Sequence, residues 1–428
     1  MKRFLSSLFV FCLLFCVYAQ DDDDLFFDDG IEEVEDVSAK TDLSKGILFE
    51  NGTVKIGGNI SSSITSNTLL YSDDGKSFGE HIKDSVLTPS LSSYITVDAR
   101  PIQNLRMYTK FGVAYPYPEN TVGAGWFSLK ELFTDFSTND RAFFRFGLHT
   151  VTWGTGYFYS PCSDIVNSSI IDPENVSAGV DGCLNLRTQI TFPDSQNCLW
   201  LYIIPSKLED ITKPTYLKDT AFAMKSDLVF GGWELGLGTY WKYRDSPKFI
   251  FTASGTVFKS LNLFGEFVYA YGDVSEWTHD DSWEDKTSIF KVTAGGSYTW
   301  KDPSITLAMQ YYYNSNDINL ADKYITKGHN VAATLNFGKL FNSDDFTLNF
   351  LGILNIGREE LTPAILSYLS AMNISTSLFN SLTCSAMFGY KPVSCFSMSA
   401  GPYFTWADFD SKPDVSLKLT FTLGGGKF

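Results

Sequence analysis

The chain lacks long apolar runs beyond its first nineteen residues. After Ala19 no stretch of eighteen consecutive apolar residues occurs, which excludes membrane-spanning helices. Only four histidines are present, with neither the paired spacing of a metal site nor a serine nucleophile motif nearby. No stripe of basic residues occurs, which argues against nucleic-acid binding. The sequence therefore predicts no catalytic residues, no metal site, no cofactor and no nucleic-acid partner.

The first nineteen residues have the features of a secretory signal. Two basic residues precede an apolar run from Phe4 to Tyr18, and Ala19 provides a small residue for cleavage. The run is too short for a membrane anchor, and an acidic stretch follows it. Lipoprotein cleavage before Cys16 is the alternative, but Phe15 is too bulky for that site. We expect residues 1–19 to be a signal peptide.

Negative charge is concentrated directly after that segment. The formal net charge is −16, and ten acidic residues lie between Asp21 and Asp36 with no basic residue among them. A block of like charges repels itself and stays solvated. The sequence therefore predicts an acidic, disordered arm over 20–45, ahead of one folded domain over 46–428.

Apolar and polar residues alternate along most of that domain. From Trp233 to Arg244 the odd positions are mostly apolar or aromatic, and the even positions are mostly small or charged. The same division recurs in the last segment, Val415 to Leu423. Since successive side chains of a strand point to opposite faces, each segment predicts a β-strand with one apolar face.

Three features favour a membrane barrel over a soluble sandwich. The segments are longer than the five or six residues that are usual in soluble strands, and a strand crossing a bilayer obliquely needs about nine to eleven. Aromatic residues, 16% of the chain, cluster at the ends of the apolar faces, as at a membrane–water boundary. Tight turns such as Gly231-Gly232 alternate with long polar loops such as 154–183.

The pattern predicts an all-β fold, a transmembrane antiparallel up-and-down β-barrel of 16–18 strands, with 18 favoured. An even number places both termini and the acidic arm on the short-turn, periplasmic side. The helical spacing of apolar residues over 359–373 predicts a short helix in one loop. The predicted strands are 54–70, 87–100, 105–116, 126–137, 141–153, 184–192, 197–205, 218–229, 233–244, 248–258, 263–272, 286–300, 304–314, 327–338, 346–356, 376–389, 395–407 and 414–424.

Two stretches resemble known families. The chain ends in Phe428 after the amphipathic segment Val415 to Leu423. This resembles the terminal strand of bacterial outer-membrane proteins, whose closing aromatic residue is recognised by the barrel-assembly machinery. Here Gly424 to Lys427 interrupts the alternation before that residue. The resemblance implies the cell outer membrane as location, with its lipid and the assembly machinery as partners.

The second stretch runs from Phe146 to Gly156 and continues to Pro161, Asp164 and Asn167. It resembles the Gly-x-Gln…Trp-Gly-x-Gly…Pro-x-Asp-x-x-Asn stretch of porin-like barrels of Gram-negative and spirochaetal bacteria. A histidine stands where Gln is usual, and two residues, Cys162 and Ser163, separate Pro161 from Asp164 where the pattern has one. The resemblance implies a porin-like architecture and says little about the solute.

Charged residues of both signs fall on the polar faces of the predicted strands. A lumen this wide is not filled by side chains, so these residues either line a water-filled pore or pair along the wall and stabilise it. Association into homo-oligomers stays open as well. The pore-lining candidates are Arg145, His149, Lys225, Asp227, Glu234, Lys242, Arg244 and Glu266.

Cysteine offers one structural candidate. Cys162 and Cys183 bracket the long loop between the fifth and sixth predicted strands, so they are the best disulfide pair. Thiols in a reducing setting are the alternative.

The function that fits these features is a porin-like channel for passive or selective diffusion of small solutes. Aromatic residues on the inner faces, among them Tyr240 and Tyr312, keep a second hypothesis open. It is a transporter of hydrophobic compounds resembling the long-chain fatty-acid transporter barrels. The third hypothesis is a surface adhesin or structural barrel, since several loops are long enough to contact other molecules.

Overall fold

The fold is described by a computed structural model. The predicted signal peptide, the acidic arm, the 359–373 helix and Phe428 lie outside the described residues. The structure describes residues 49–115, 127–138, 141–167, 169–176, 179–193, 195–205, 216–258, 260–279, 282–284, 286–301, 303–315, 328–356, 380–406 and 412–427.

Strands dominate the described part of the chain. None of its helices is both long and apolar enough to cross a membrane. The helices are α1 (Phe78–Lys83), α2 (Pro161–Asp164), α3 (Val274–His279) and a 3-10 turn at Leu217–Asp219. The strands are β1 (Phe49–Asn51), β2 (Val54–Tyr71), β3 (Val86–Ile102), β4 (Leu105–Tyr115), β5 (Phe127–Thr138), β6 (Ala142–His149), β7 (Cys183–Thr191), β8 (Cys198–Ile204), β9 (Ala221–Phe230), β10 (Trp233–Lys242), β11 (Lys248–Val257), β12 (Leu261–Tyr271), β13 (Ser288–Trp300), β14 (Ile305–Asn314), β15 (Gly328–Phe337), β16 (Phe346–Ile356), β17 (Asn380–Val393), β18 (Phe396–Trp406) and β19 (Asp414–Lys427).

The eighteen strands β2–β19 form one closed antiparallel barrel. Each pairs with its neighbour in sequence, and β19 pairs with β2 to close the ring. This confirms the favoured strand number and all eighteen predicted segments. The short strand β1, which the sequence did not predict, pairs with the first residues of β2, from Val54 to Ile56. It thereby covers an edge of β2 that extends beyond β19.

The glycines that interrupt the alternation near the C-terminus serve barrel closure. The β19–β2 pairing shifts register between Gly424 and Gly426. Gly424 has a φ of +97°, and a Cβ there would overlap the Ile60 carbonyl. A bulge of this kind requires glycine, because other residues rarely adopt that backbone conformation.

The barrel presents apolar side chains outward and polar ones inward. Along β9, Phe222 and Met224 are exposed while the alternate Lys225 is buried. Such a continuous exposed apolar surface is unfavourable in water and suits the hydrocarbon of a bilayer. A closed sheet also pairs its backbone groups internally, as the hydrocarbon requires.

The connections differ between the two ends of the barrel. At one end β9 and β10 are joined by Gly231 and Gly232, both at positive φ, as a two-residue hairpin requires. At the other end residues 150–182 join β6 to β7, and residues 272–287 join β12 to β13. The predicted asymmetry of short turns and long loops is confirmed for these connections.

Candidate functional site

The chain between β6 and β7 turns into the barrel. β6 ends at His149, earlier than the predicted residue 153. We call the described residues of 150–182 the inner segment. Its Trp153 is 1% exposed and packs edge-on against Tyr202 of β8, with ring centroids 5.1 Å apart. Farther along, Tyr159 stacks on Tyr312 of β14 at 5.1 Å. The inner segment therefore covers the inner wall from β8 to β14.

Glu266 of β12 is the main polar contact for this segment. Its Oε1 accepts hydrogen bonds from the backbone N–H of Thr155 at 2.7 Å and of Gly156 at 2.6 Å. Its Oε2 accepts the N–H of Cys162 at 2.9 Å, and the Ser160 hydroxyl donates to Oε1 at 3.1 Å. The side chain is 2% exposed, and a carboxylate tolerates such burial only with donors of this kind.

Gln310 of β14 contacts the next residues of the inner segment. Its Oε1 accepts backbone N–H groups from Tyr157 at 3.0 Å and Phe158 at 2.7 Å, with a longer bond from Tyr159 at 3.3 Å. Its Nε2 donates to the carbonyl of Tyr159 at 2.6 Å. Gln310 was not among the site residues predicted from the sequence.

Two glycines permit the close approach to the wall. A Cβ at Gly154 would overlap the Glu266 carboxylate and the Ser160 hydroxyl. A Cβ at Gly156 would overlap the carbonyl of Tyr159. These are the glycines of the Trp-Gly-x-Gly stretch, so their steric role explains why that pattern needs glycine there.

Side chains within the inner segment fix its own turn around α2. The Ser163 hydroxyl accepts the N–H groups of Trp153 at 3.0 Å and Gly154 at 2.8 Å. Asn167 accepts the N–H of Val151 at 2.8 Å and donates to its carbonyl at 2.7 Å. Asn167, the last residue of the stretch that resembles porin-like barrels, therefore closes this turn.

The second half of the inner segment makes weaker contacts with the opposite wall. The Tyr403 hydroxyl of β18 donates to the Glu174 carboxylate at 2.7 Å. Lys130 of β5 pairs with Asp181 at 2.8 Å, and both side chains are about half exposed. Exposed ion pairs contribute about 0–1 kcal/mol, less than the buried contacts of Glu266.

A row of charges crosses the inner wall from β3 to β6. Arg106 lies 2.9 Å from Asp98 and 3.7 Å from Asp135, which in turn lies 2.6 Å from Arg145. The Arg145 guanidinium also stacks 3.9 Å from the centroid of the Phe133 ring. Arg145 thus lies on the inner face as predicted, with a carboxylate partner.

Lys225 and Asp227 form a buried ion pair on β9. The Lys225 Nζ lies 2.8 Å from Asp227 Oδ1, and the Trp200 indole N–H donates to Asp227 Oδ2 at 2.6 Å. Both charged residues are buried, so neither is exposed to the open lumen. Of the two interpretations that the sequence left open, pairing along the wall describes these two residues.

The remaining pore-lining candidates occupy different surroundings. His149 is buried and packs edge-on against the Phe133 ring at 5.8 Å. Glu234 is exposed near the start of β10, and Lys242 is its last residue. Arg244 lies beyond that strand at a φ of 56°, exposed on the long-loop rim. The strand therefore ends two residues earlier than predicted, and a pore-lining role for Arg244 stays a prediction.

Glu266 also differs from its predicted role. It lies on the inner face, but the inner segment covers it, so it contacts backbone groups and no solute space. A carboxylate on a strand does not reveal which distant loop covers it. Within the described residues no three or more His, Cys, Asp and Glu side chains are grouped to bind a metal ion.

The two predicted disulfide partners are thiols with separate contacts. Cys162 is buried and its thiol lies 3.8 Å from the Phe251 carbonyl. The Cys183 thiol donates to the Val166 carbonyl at 2.8 Å. The disulfide prediction is therefore wrong for this structure, since the loop folds so that each sulfur faces a different partner. Burial raises the pKa of Cys162 well above its ordinary value, which makes this thiol unreactive.

A cavity of about 400 Å³ remains between the inner segment and the wall of β3, β4 and β5. Lys110, Lys130 and Glu131 line it from the wall, and Gly179 to Asp181 line it from the inner segment.

The same barrel occurs in solved structures of bacterial proteins. OccK11 (OpdR) of Pseudomonas aeruginosa matches with a TM-score of 0.50 at 7% identity, over 87% of this chain and 96% of that one. A BenF-like porin from Pseudomonas fluorescens Pf-5 matches at 0.50 and 9% identity, over 86% and 98%. The outer membrane protein opdK from Pseudomonas aeruginosa matches at 0.50 and 8% identity, over 86% and 98%. At these identities the likeness shows a shared fold. No family model matches the chain, and no curated protein matches it by sequence.

Proposed function

We propose that the chain is a porin-like channel of the cell outer membrane, through which small solutes diffuse passively or selectively. The observation that carries this proposal is the inner segment, which narrows a lumen whose wall has charged side chains of both signs. Arg106 and Asp135, for example, face the lumen and are partly accessible. Mixed charges along the wall of the lumen impose a field on passing solutes and so provide selectivity.

The fold neighbours support the same class of function. One is named as a porin and another as an outer membrane protein. We infer the same location here, with both termini in the periplasm, because β2 starts and β19 ends at the short-turn end of the barrel. The proposal includes a signal peptide over 1–19, a periplasmic acidic arm over 20–45 and insertion by the barrel-assembly machinery. Homo-oligomers remain an open part of it.

Two features weaken the other hypotheses. Tyr240 and Tyr312, which favoured a transporter of hydrophobic compounds, are 8% and 4% exposed because the inner segment packs on them. One of the loops that supported the adhesin hypothesis is 154–183, and its described part lines the barrel interior. The diffusion channel therefore explains more of the fold.

The purified protein in a planar bilayer tests the proposal. We expect discrete conductance steps in potassium chloride, since a barrel of eighteen strands encloses water. A folded protein that inserts and leaves the bilayer silent at every voltage contradicts the proposal. Continuous lipid or detergent density inside the barrel, with a lateral gap in the wall, would favour the hydrophobic transporter instead.

A further inference from the structure

The cavity of about 400 Å³ beside β3, β4 and β5 is lined by charges of both signs in equal number. It lies between the wall and the residues from Gly179 to Asp181 of the inner segment. Its four charged lining residues are Lys110, Lys130, Glu131 and Asp181. None of these residues was predicted from the sequence to line the pore.

A β-bulge places two consecutive charged residues at this cavity. The β4–β5 pairing has Lys110 opposite Glu131 and Phe111 opposite Leu129, so Lys130 is the extra residue. Adjacent residues of a regular strand point to opposite faces, but a bulge re-aims one of them. Lys130 and Glu131 therefore both line the same space.

The four charges differ in whether they have partners. Lys130 pairs with Asp181 at 2.8 Å. Lys110 lies 4.9 Å above the Tyr94 ring, and Glu131 lies on the neighbouring strand directly opposite Lys110. Among the described residues, no carboxylate pairs with Lys110 and no basic group pairs with Glu131 within 4.0 Å. One ammonium and one carboxylate thus face the cavity without an ionic partner.

We propose that this cavity binds small zwitterionic solutes, with the carboxylate of the solute at Lys110 and its ammonium at Glu131. The inference rests on the proposed channel function and names the class of solute that the channel selects. Charge-assisted hydrogen bonds at both ends satisfy both wall groups at once. A solute with one charge makes one charge–charge contact, and an uncharged solute makes only hydrogen bonds in which one partner is charged.

The rest of the lining fits a polar molecule of amino-acid size. Ser92 and Ser128 provide hydroxyl groups, and the Tyr94 ring provides an aromatic surface. The volume lies at the small end of the range of ligand pockets, about 300–1,000 Å³. The cavity is also open on one side, since the Lys130–Asp181 pair that bounds it is half exposed and weak.

Liposome swelling with the purified full chain tests the inference. The probes are L-glutamine, a zwitterion, and D-ribose, an uncharged solute of similar size. We expect L-glutamine to enter faster than D-ribose through the wild-type protein. In the double variant Lys110→Gln and Glu131→Gln, we expect the L-glutamine rate to fall about fivefold, which corresponds to about 1 kcal/mol of lost charge contact. The D-ribose rate should change less than about twofold, since ribose makes no charge–charge contact and its hydroxyl groups can hydrogen-bond the glutamine amides of the variant as well.

The single variants and a control separate this inference from general damage to the channel. Lys110→Gln should make the conductance more cation-selective, and Glu131→Gln should make it more anion-selective. Lys418→Gln removes a charge on β19, away from the cavity, and should leave the ratio of the two swelling rates unchanged. Equal rates for L-glutamine and D-ribose, or a ratio unaltered by the double variant in folded protein, overturn the inference while the channel function stands. Absence of swelling with both solutes refutes the channel function itself.

Discussion

Replacing Glu266 by alanine should release the inner segment from the wall. The change removes the acceptor of three backbone N–H groups and of the Ser160 hydroxyl. A buried donor that loses its acceptor costs about 1–3 kcal/mol, so the loss of three acceptors costs at least about 3 kcal/mol. Gln310 and the aromatic contacts of Trp153 remain, so we expect displacement of the segment without unfolding of the barrel. The displaced population should rise roughly 10²- to 10³-fold, since each 1.4 kcal/mol is tenfold.

Two measurements report this displacement independently. Single-channel conductance should rise, because the segment narrows the lumen. Maleimide labelling of Cys162 should also rise, because this thiol is buried only while the segment packs on β11 and β12. Glu266→Gln should give a smaller effect, since its amide keeps one oxygen that can accept from Thr155 and Gly156.

The control for this experiment is Glu234→Ala on β10, which is separated from β12 by β11. Glu234 is an exposed acidic residue, so its loss changes the charge of the barrel without removing a contact of the inner segment. Wild-type conductance and wild-type labelling of Cys162 in folded Glu266→Ala would refute the role of Glu266. A rise in conductance alone would indicate a charge effect, and Glu234→Ala should then reproduce it.

Three further predictions concern other contacts. Gln310→Leu should raise conductance less than Glu266→Ala, because its neutral hydrogen bonds contribute about 0.5–1.5 kcal/mol each; equal effects in bilayer recordings would contradict this. Asp227→Ala leaves the buried Lys225 unpaired and should destabilise the barrel by about 3–5 kcal/mol. On gels of samples heated in detergent, the folded band should then convert to the unfolded band at a lower temperature. Hydrogen bonds from Asp273 and Thr287 lower the pKa of Glu276, so they stabilise this loop while Glu276 is ionised. Slow hydrogen exchange of residues 272–279 should therefore be seen at a pH above the ordinary pKa of a glutamate. It should be lost as the pH falls through the lowered pKa of Glu276.

The barrel could be predicted because its signal is local. Alternation with a period of two shows within each segment, and turn residues mark where it stops. Hence all eighteen barrel strands were found, and the ends of most are within a few residues of the observed ones. The largest differences, four residues, are at both ends of β17 and at the end of β6. β6 was predicted to reach residue 153 because Val151 and Trp153 continue the alternation. Their burial arises from packing inside the lumen, not from the outer face.

The site could be predicted only in part, because its contacts join distant segments. Thr155 and Glu266 are separated by 111 positions, and Phe158 and Gln310 by 152. Strand periodicity places Glu266 on the inner face, but it gives no information about which loop covers that face. The resembling stretch indicated the region around Trp153. The reason why this stretch needs glycine follows only from the structure, in which the Glu266 carboxylate lies against Gly154.

The inner segment is attached unequally to the two sides of the barrel, and this decides where the lumen can change width. On the side of β12 and β14, buried acceptors bind its backbone directly. On the side of β5 and β18, it is attached through exposed side-chain pairs, Asp181 with Lys130 and Glu174 with Tyr403. Because exposed pairs open at small cost, thermal motion of the segment should widen and narrow the space beside β5 first. The cavity with the unpaired Lys110 and Glu131 lies on that same side. The proposed solute contacts therefore lie where the width of the lumen can change, at the wall opposite the one to which Glu266 fixes the segment.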